Sequence, residues 1–144
     1  MPSSRTEPVN WQPISEIPLI ASMIDVALDD TRVHLTTLTE ARARPHLLDD
    51  DTICRSDRIH GEQLEFVDIY DEQIRRWRTQ GPSAAQSLEL DRLDKQNHLL
   101  RQVTMNVLAL NLELRKGSID RITEASDFEL GLRALLGTLP PHPP

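Results

Sequence analysis

Three segments of the chain each have an aspartate three or four residues before a histidine. The pairs are Asp30 with His34, Asp57 with His60, and Asp94 with His98. A carboxylate and an imidazole at this spacing share one face of a helix and can bind the same metal ion, as they do in di-metal helical bundles. The pattern therefore suggests one function, a metal-binding or metal-dependent hydrolytic helical bundle that uses inward His and Asp/Glu side chains.

The helical positions of these histidines argue against such a site. His34 and His60 lie roughly eight or nine residues from the connection between their helices, so we expect both at one level of an antiparallel hairpin. However, only His60 points along the apolar stripe of its helix. The Glu-x-x-His pairs typical of di-metal bundles are also absent from the sequence. We therefore predict no metal and no cofactor, with His60 buried and with His34 and His98 in solvent.

A second acidic pattern combines Glu62 and Glu65 with Asp91 and Asp94. It resembles the acidic helix pairs of the all-α nucleoside triphosphate pyrophosphatases, whose carboxylates hold magnesium against the substrate phosphates. The sequence departs from that family's pattern at Asp91, and Glu62 and Glu65 project from the side of their helix opposite Val67. The preferred interpretation is a solvated acidic face.

The segment Arg75-Arg76-Trp77-Arg78 could bind phosphate or stack on a base. Trp77, however, falls on the apolar stripe of its helix, and arginines are favoured in a last helical turn by the helix dipole. The chain has 23 Asp and Glu against 16 Lys and Arg, a formal net charge of -7. Nucleic acids and anionic membranes repel such a chain on average. We expect neither as a partner.

Cysteine content and hydropathy predict the compartment. The single cysteine, Cys54, excludes an internal disulfide. No segment approaches the roughly 18 consecutive apolar residues that a membrane span needs, and the first twelve residues lack the apolar core of a secretory signal. We therefore expect a cytoplasmic protein.

Prolines divide the sequence into three long segments without a helix breaker, residues 19–44, 46–81 and 83–139. Apolar residues recur at helical spacing in each segment, and short connections make neighbouring helices antiparallel. The predicted fold is all-α, an antiparallel up-down bundle of three long helices plus a short C-terminal helix. It forms a single domain at 14–137, between a flexible N-terminal segment at 1–13 and a Pro-rich disordered tail at 138–144.

Capping signals set the expected ends of these helices. Side chains such as Asp49 and Ser83 accept hydrogen bonds from the free N–H groups of a first turn, and a glycine allows a last turn to close. The expected ends are Ser15 and Ala43 for the first helix, Asp49 and Gly81 for the second, Ser83 and Gly117 for the third, and Ser126 and Gly137 for the short fourth helix.

Polar residues interrupt the apolar stripes at Thr31, Gln63 and Asn97. If the hairpins pair as predicted, these residues lie within about one helical turn of a common level. Polar groups in a helical seam set register or oligomeric state, because each requires a hydrogen-bond partner. Both this interpretation, a register-setting polar layer, and simple exposure at the rim of the bundle remain open.

Apolar residues outside the stripes predict an interaction surface. It consists of three residues flanking the stripe of the second helix and three in the short C-terminal helix: Ile59, Phe66, Ile69, Phe128, Leu132 and Leu135. We expect a homodimer, or a protein partner bound through an amphipathic helix in a groove. In size, acidity and long helices the chain resembles the flagellar export chaperones in outline. The preferred hypothesis is a non-enzymatic adaptor or chaperone-like assembly module.

Overall fold

The computed structural model describes residues 8–44 and 48–136. They form α1 (Ile17–Ala43), α2 (Asp50–Arg78) and α3 (Ala84–Leu136), and a short 3-10 turn at Ile14–Glu16 precedes α1. The predicted N-cap at Ser15 is wrong, because Ser15 lies inside this turn and Glu16 is the N-cap of α1. The described part contains no strand, and the predicted all-α bundle of three long helices is confirmed. The predicted Pro-rich tail and the first seven residues of the predicted N-terminal segment lie outside the described residues.

Helix α3 is the central element of the bundle. Both α1 and α2 pack along it, and they approach each other less closely than either approaches α3. Ion pairs show that α3 runs parallel to α1, through Asp25–Arg92 and Arg42–Glu113, and antiparallel to α2, through Asp57–Arg115 and Arg78–Asp91. The chain therefore goes up, down and up.

The ends of α2 and the start of α3 follow the predicted capping signals. The Asp49 carboxylate accepts a hydrogen bond from the Thr52 backbone N–H at 2.8 Å. Gly81 adopts a φ of 64°, a left-handed conformation that favours glycine. Ser83 and Gln86 each accept a hydrogen bond from the other's backbone N–H, at 3.1 and 2.9 Å. These local predictions are confirmed.

The predicted helix end at Gly117 is wrong. Helix α3 continues through this residue to Leu136, so the predicted C-terminal helix is present as the last part of α3. A glycine inside a helix costs only about 1 kcal/mol relative to alanine. The next proline in the sequence is Pro140, so no strong helix breaker follows before the end of α3.

Two apolar clusters lie along α3. The larger one joins α1 and α2 around Ile24, Leu28, Trp77, Leu93 and Leu100, all of which are at most 1% exposed. The smaller one lies near the α1–α2 connection and contains Leu38, Ile53, Val107, Leu110 and Leu114. Each buried leucine or isoleucine stabilises the fold by roughly 1.5–3 kcal/mol. The two clusters hold the bundle together at both ends.

Three buried polar residues of α3 occur at intervals of seven residues. Asn97, Thr104 and Asn111 are each 0% exposed. Each asparagine donates a hydrogen bond to an aspartate of α2 that also pairs with an arginine one turn further along α3. The two clusters are Asn97–Asp71–Arg101 and Asn111–Asp57–Arg115. The side-chain oxygens of both asparagines are buried without a hydrogen-bond partner.

We expect Asn97→Ala to lower the free energy of unfolding by about 1–3 kcal/mol, because it removes one buried and one partly buried hydrogen bond. These bonds run from the Asn97 amide to the Val67 carbonyl at 3.0 Å and to Asp71 at 2.7 Å. Urea denaturation followed by circular dichroism measures the change. The matched control is Asn106→Ala, at an exposed position of the same helix. Equal stability of the two variants would contradict the prediction.

Candidate functional site

An open groove runs between α1 and α2. Its main part has a volume of about 730 Å³, and two adjoining parts have volumes of about 420 and 240 Å³. Tyr70 lines all three parts, so they adjoin one another along α2. On α2 the lining extends from Thr52 to Gln73, which corresponds to a length of roughly 32 Å at 1.5 Å per residue.

The rim of the groove is apolar. It is formed by Met23 and Val26 of α1 and by Ile59 and Phe66 of α2, whose side chains are between 42% and 55% exposed. The predicted surface residue Ile69 is half-buried and lines the part with a volume of about 420 Å³. The sequence analysis missed the α1 side of this rim. The spacing of Leu19, Met23 and Val26, at i, i+4 and i+7, was the available signal.

The N-terminal segment closes one end of the groove. Gln12 exchanges two hydrogen bonds with the Gln73 side chain, at 2.7 and 3.3 Å, and its carbonyl accepts a third from the Trp77 indole at 2.9 Å. The guanidinium of Arg76 lies 4.2 Å from the centre of the Trp11 ring. Residues 8–12 therefore line this end of the groove. Trp77 and Arg76 of the segment Arg75-Arg76-Trp77-Arg78 therefore contact the N-terminal segment.

A cluster of two histidines and a serine lies near the other end. The rings of His34 and His60 stack with their centroids 4.8 Å apart, so the prediction that they share one level is confirmed. The Ser56 hydroxyl lies 2.8 Å from His34 Nε2 and accepts a hydrogen bond from Asn111 at 3.0 Å. His60 Nδ1 donates to the Ser56 carbonyl at 2.7 Å. All three helices thus contribute to the cluster.

His34 is half-buried, so its predicted exposure to solvent is wrong. Its contacts with Ser56 and His60 draw the ring into the groove. Because His60 Nδ1 donates to the Ser56 carbonyl, the Ser56 hydroxyl is free to donate to His34 Nε2. Burial, together with the neighbouring His60, lowers the pKa of His34 below its ordinary value of 6.5. The neutral imidazole therefore suits this site.

A polar layer with one residue from each helix crosses the middle of the bundle. The Gln63 side-chain amide donates to the hydroxyls of Thr31 and Thr104, both at 2.8 Å. Asn97 does not take part in this layer, since its amide donates to Val67 and Asp71 instead. The sequence analysis missed Thr104, although its position seven residues from Asn97 and Asn111 was a usable signal. Gln63 also lines the groove.

The acidic residues Glu62, Glu65, Asp91 and Asp94, interpreted from the sequence as a solvated face, do not form one site. The carboxylate oxygens of Asp91 and Asp94 lie 3.0 and 3.9 Å from the guanidinium nitrogens of Arg78. Glu62 lines the groove, roughly 24 Å along α2 from Arg78 at 1.5 Å per residue. His98 is exposed. Among the side chains that the structure describes, no group of three or more His, Cys, Asp or Glu residues is placed to hold a metal ion.

The other half of the predicted interaction surface lies in the C-terminal part of α3. Phe128, Leu132 and Leu135 are 73%, 42% and 82% exposed. Their spacing, at i, i+4 and i+7, places them on one face of the helix. None of the helices in the described part of the chain has a stretch long and apolar enough to cross a membrane.

We expect the free energy of unfolding to fall as the pH is lowered from about 7.5 to about 5. The pKa of His34 is lower in the folded protein than in the unfolded chain, so the unfolded chain binds the proton first and stability is lost below pH 6.5. His34→Gln removes this titration and flattens the pH dependence. Urea denaturation across this pH range measures it, with His98→Gln as the exposed control. A His34→Gln profile as steep as that of the wild type would contradict the prediction.

No family model, curated protein or solved structure matched this chain. The functional conclusion therefore depends on the groove between α1 and α2, its apolar rim and the polar side chains inside it.

Proposed function

We propose that this chain is a non-enzymatic protein-interaction module, of the adaptor or chaperone-like kind, that binds an amphipathic helix in the groove between α1 and α2. The observation that supports this proposal is the apolar rim, where Met23, Val26, Ile59 and Phe66 keep 42% to 55% of their surface exposed. Covering such side chains with a second apolar surface is favourable, and exposed apolar patches mark interaction sites.

The shape of the groove suits a helix. Its walls are two neighbouring helices, and its length of roughly 32 Å corresponds to a ligand helix of about 20 residues. A helix bound there would contact α1 and α2 from one side while α3 contacts them from the other. The result is a four-helix arrangement, in which every long helix has two neighbours.

The polar side chains inside the groove favour a ligand with a defined charge pattern. Asp30 of α1 and Arg55 of α2 line the same part of the groove as His34 and Gln63. A bound helix that placed a cation near Asp30 and an anion near Arg55 would be selected over one with the opposite pattern. As part of this proposal we place the protein in the cytoplasm and expect it to act as a homodimer.

A phage-displayed library of helical peptides tests the groove directly. The peptides have about 20 residues, with apolar residues at i, i+4 and i+7. We expect selected peptides, labelled with fluorescein, to bind Ile59→Asp at least about tenfold more weakly than the wild type, because the bound helix would bury the new carboxylate against apolar side chains. Fluorescence anisotropy gives the Kd.

The matched control is Leu112→Asp. Leu112 is 52% exposed and lies on α3, whereas Ile59 is 50% exposed and lies on the groove rim. We expect the control to bind the selected peptides with the wild-type Kd. The proposal fails if both substitutions weaken binding equally. It also fails if no peptide is enriched against either the wild type or the double variant Leu132→Asp/Leu135→Asp, in which the exposed apolar side chains of the chain's own C-terminal segment cannot compete for the groove.

A further inference from the structure

The C-terminal part of α3 lies beyond the last contacts between helices that the described side chains make. Along α3, ion pairs join Glu113 to Arg42 of α1 and Arg115 to Asp57 of α2. Beyond Gly117, every side chain that the structure describes is exposed. These include the apolar stripe of Phe128, Leu132 and Leu135 defined above. A lone helix of this length is only marginally stable in water, so a surface that covers the stripe would stabilise it.

We propose that this stripe binds in the α1–α2 groove of a second copy of the chain, and that two copies exchange their C-terminal segments reciprocally. The inference rests on the proposed function, because it names the helix that the groove binds. Residues 118–136 span roughly 28 Å as a helix, close to the roughly 32 Å of the groove. The apolar stripe of one copy and the apolar rim of the other are thus matched in length and in character.

The continuity of α3 favours a second copy over the same copy as the source of this helix. Because α3 is unbroken at Gly117, residues 118–136 continue along its axis, past the end of α1 at Ala43. To enter the groove of its own copy, the chain would have to reverse direction inside this helix and lose backbone hydrogen bonds. A second copy requires no such break, and a two-fold axis makes the two contacts identical.

Two full-length variants test the two surfaces of this contact one at a time. Ile59→Asp changes the groove, and the double substitution Leu132→Asp with Leu135→Asp changes the C-terminal stripe. All three side chains are exposed in a single copy, so we expect both variants to fold, which circular dichroism verifies. In light scattering with in-line mass determination, we expect the wild type and Leu112→Asp to be dimers. The dimer Kd of each test variant should rise at least about 100-fold.

Mixing the two test variants distinguishes exchange between copies from docking within one copy. In a one-to-one mixture, an unchanged groove can bind an unchanged C-terminal segment, so we expect a heterodimer held by one such contact. Docking within one copy gives no dimer on mixing. The inference is overturned by a monomeric wild type, by variants that stay dimeric, or by a mixture that stays monomeric.

A synthetic peptide of residues 118–136 separates this inference from the proposed function. We expect the labelled peptide to bind the Leu132→Asp/Leu135→Asp variant and to bind poorly to Ile59→Asp. If the wild type is monomeric while library peptides still bind the groove, only the second-copy inference fails. If neither the library nor this peptide yields a ligand for the groove, the proposed function fails with it.

Discussion

The rest of the structure depends on the burial of α1 and α2 against one shared helix. Apolar residues of α3 at intervals of seven supply a seam that both partners use: Leu93, Leu100, Val107 and Leu114. Because α1 and α2 obtain their apolar contacts from α3, they need not close against each other. The groove is therefore a direct consequence of how the core is shared. Small polar contacts across it, such as Gln63 with Thr31, connect its walls without filling it.

The same seam contains buried polar residues that hydrogen-bond to the neighbouring helices. Burying an amide is unfavourable unless it is hydrogen-bonded, so a displaced α3 would lose the bonds from Asn97 and Asn111 to α2. The layer of Thr31, Gln63 and Thr104 ties all three helices at one level. Stability comes mainly from the leucines, and these hydrogen bonds restrict the number of ways in which the leucines can pack. The groove keeps one shape only if the leucines pack in one way.

Local signals allowed most of the fold to be predicted from the sequence. The caps at Asp49 and Ser83 and the turn at Gly81 involve residues a few positions apart, so the sequence contains the whole interaction. Gly117 misled the prediction, because a lone glycine without a nearby proline does not end a helix. The half-buried state of His34 and the α1 side of the groove depend on how three helices meet. The distances between the helices are set by tertiary packing, which the spacing of residues within one helix does not determine.

The clusters Asn97–Asp71–Arg101 and Asn111–Asp57–Arg115 are two heptads apart on both helices. Because of this repeat, one kind of mispairing between α2 and α3 costs less free energy than the others. A slide of α3 by one heptad would place one asparagine opposite Gln63 and leave both aspartates without an amide. A slide by two heptads, roughly 21 Å, would keep one complete cluster. The order Asn97, Thr104 and Asn111 along α3 thus allows the same pairing with α2 again only after a shift of two heptads. Misassembled or aggregated forms of this protein should consequently favour an offset of 14 residues between α2 and α3.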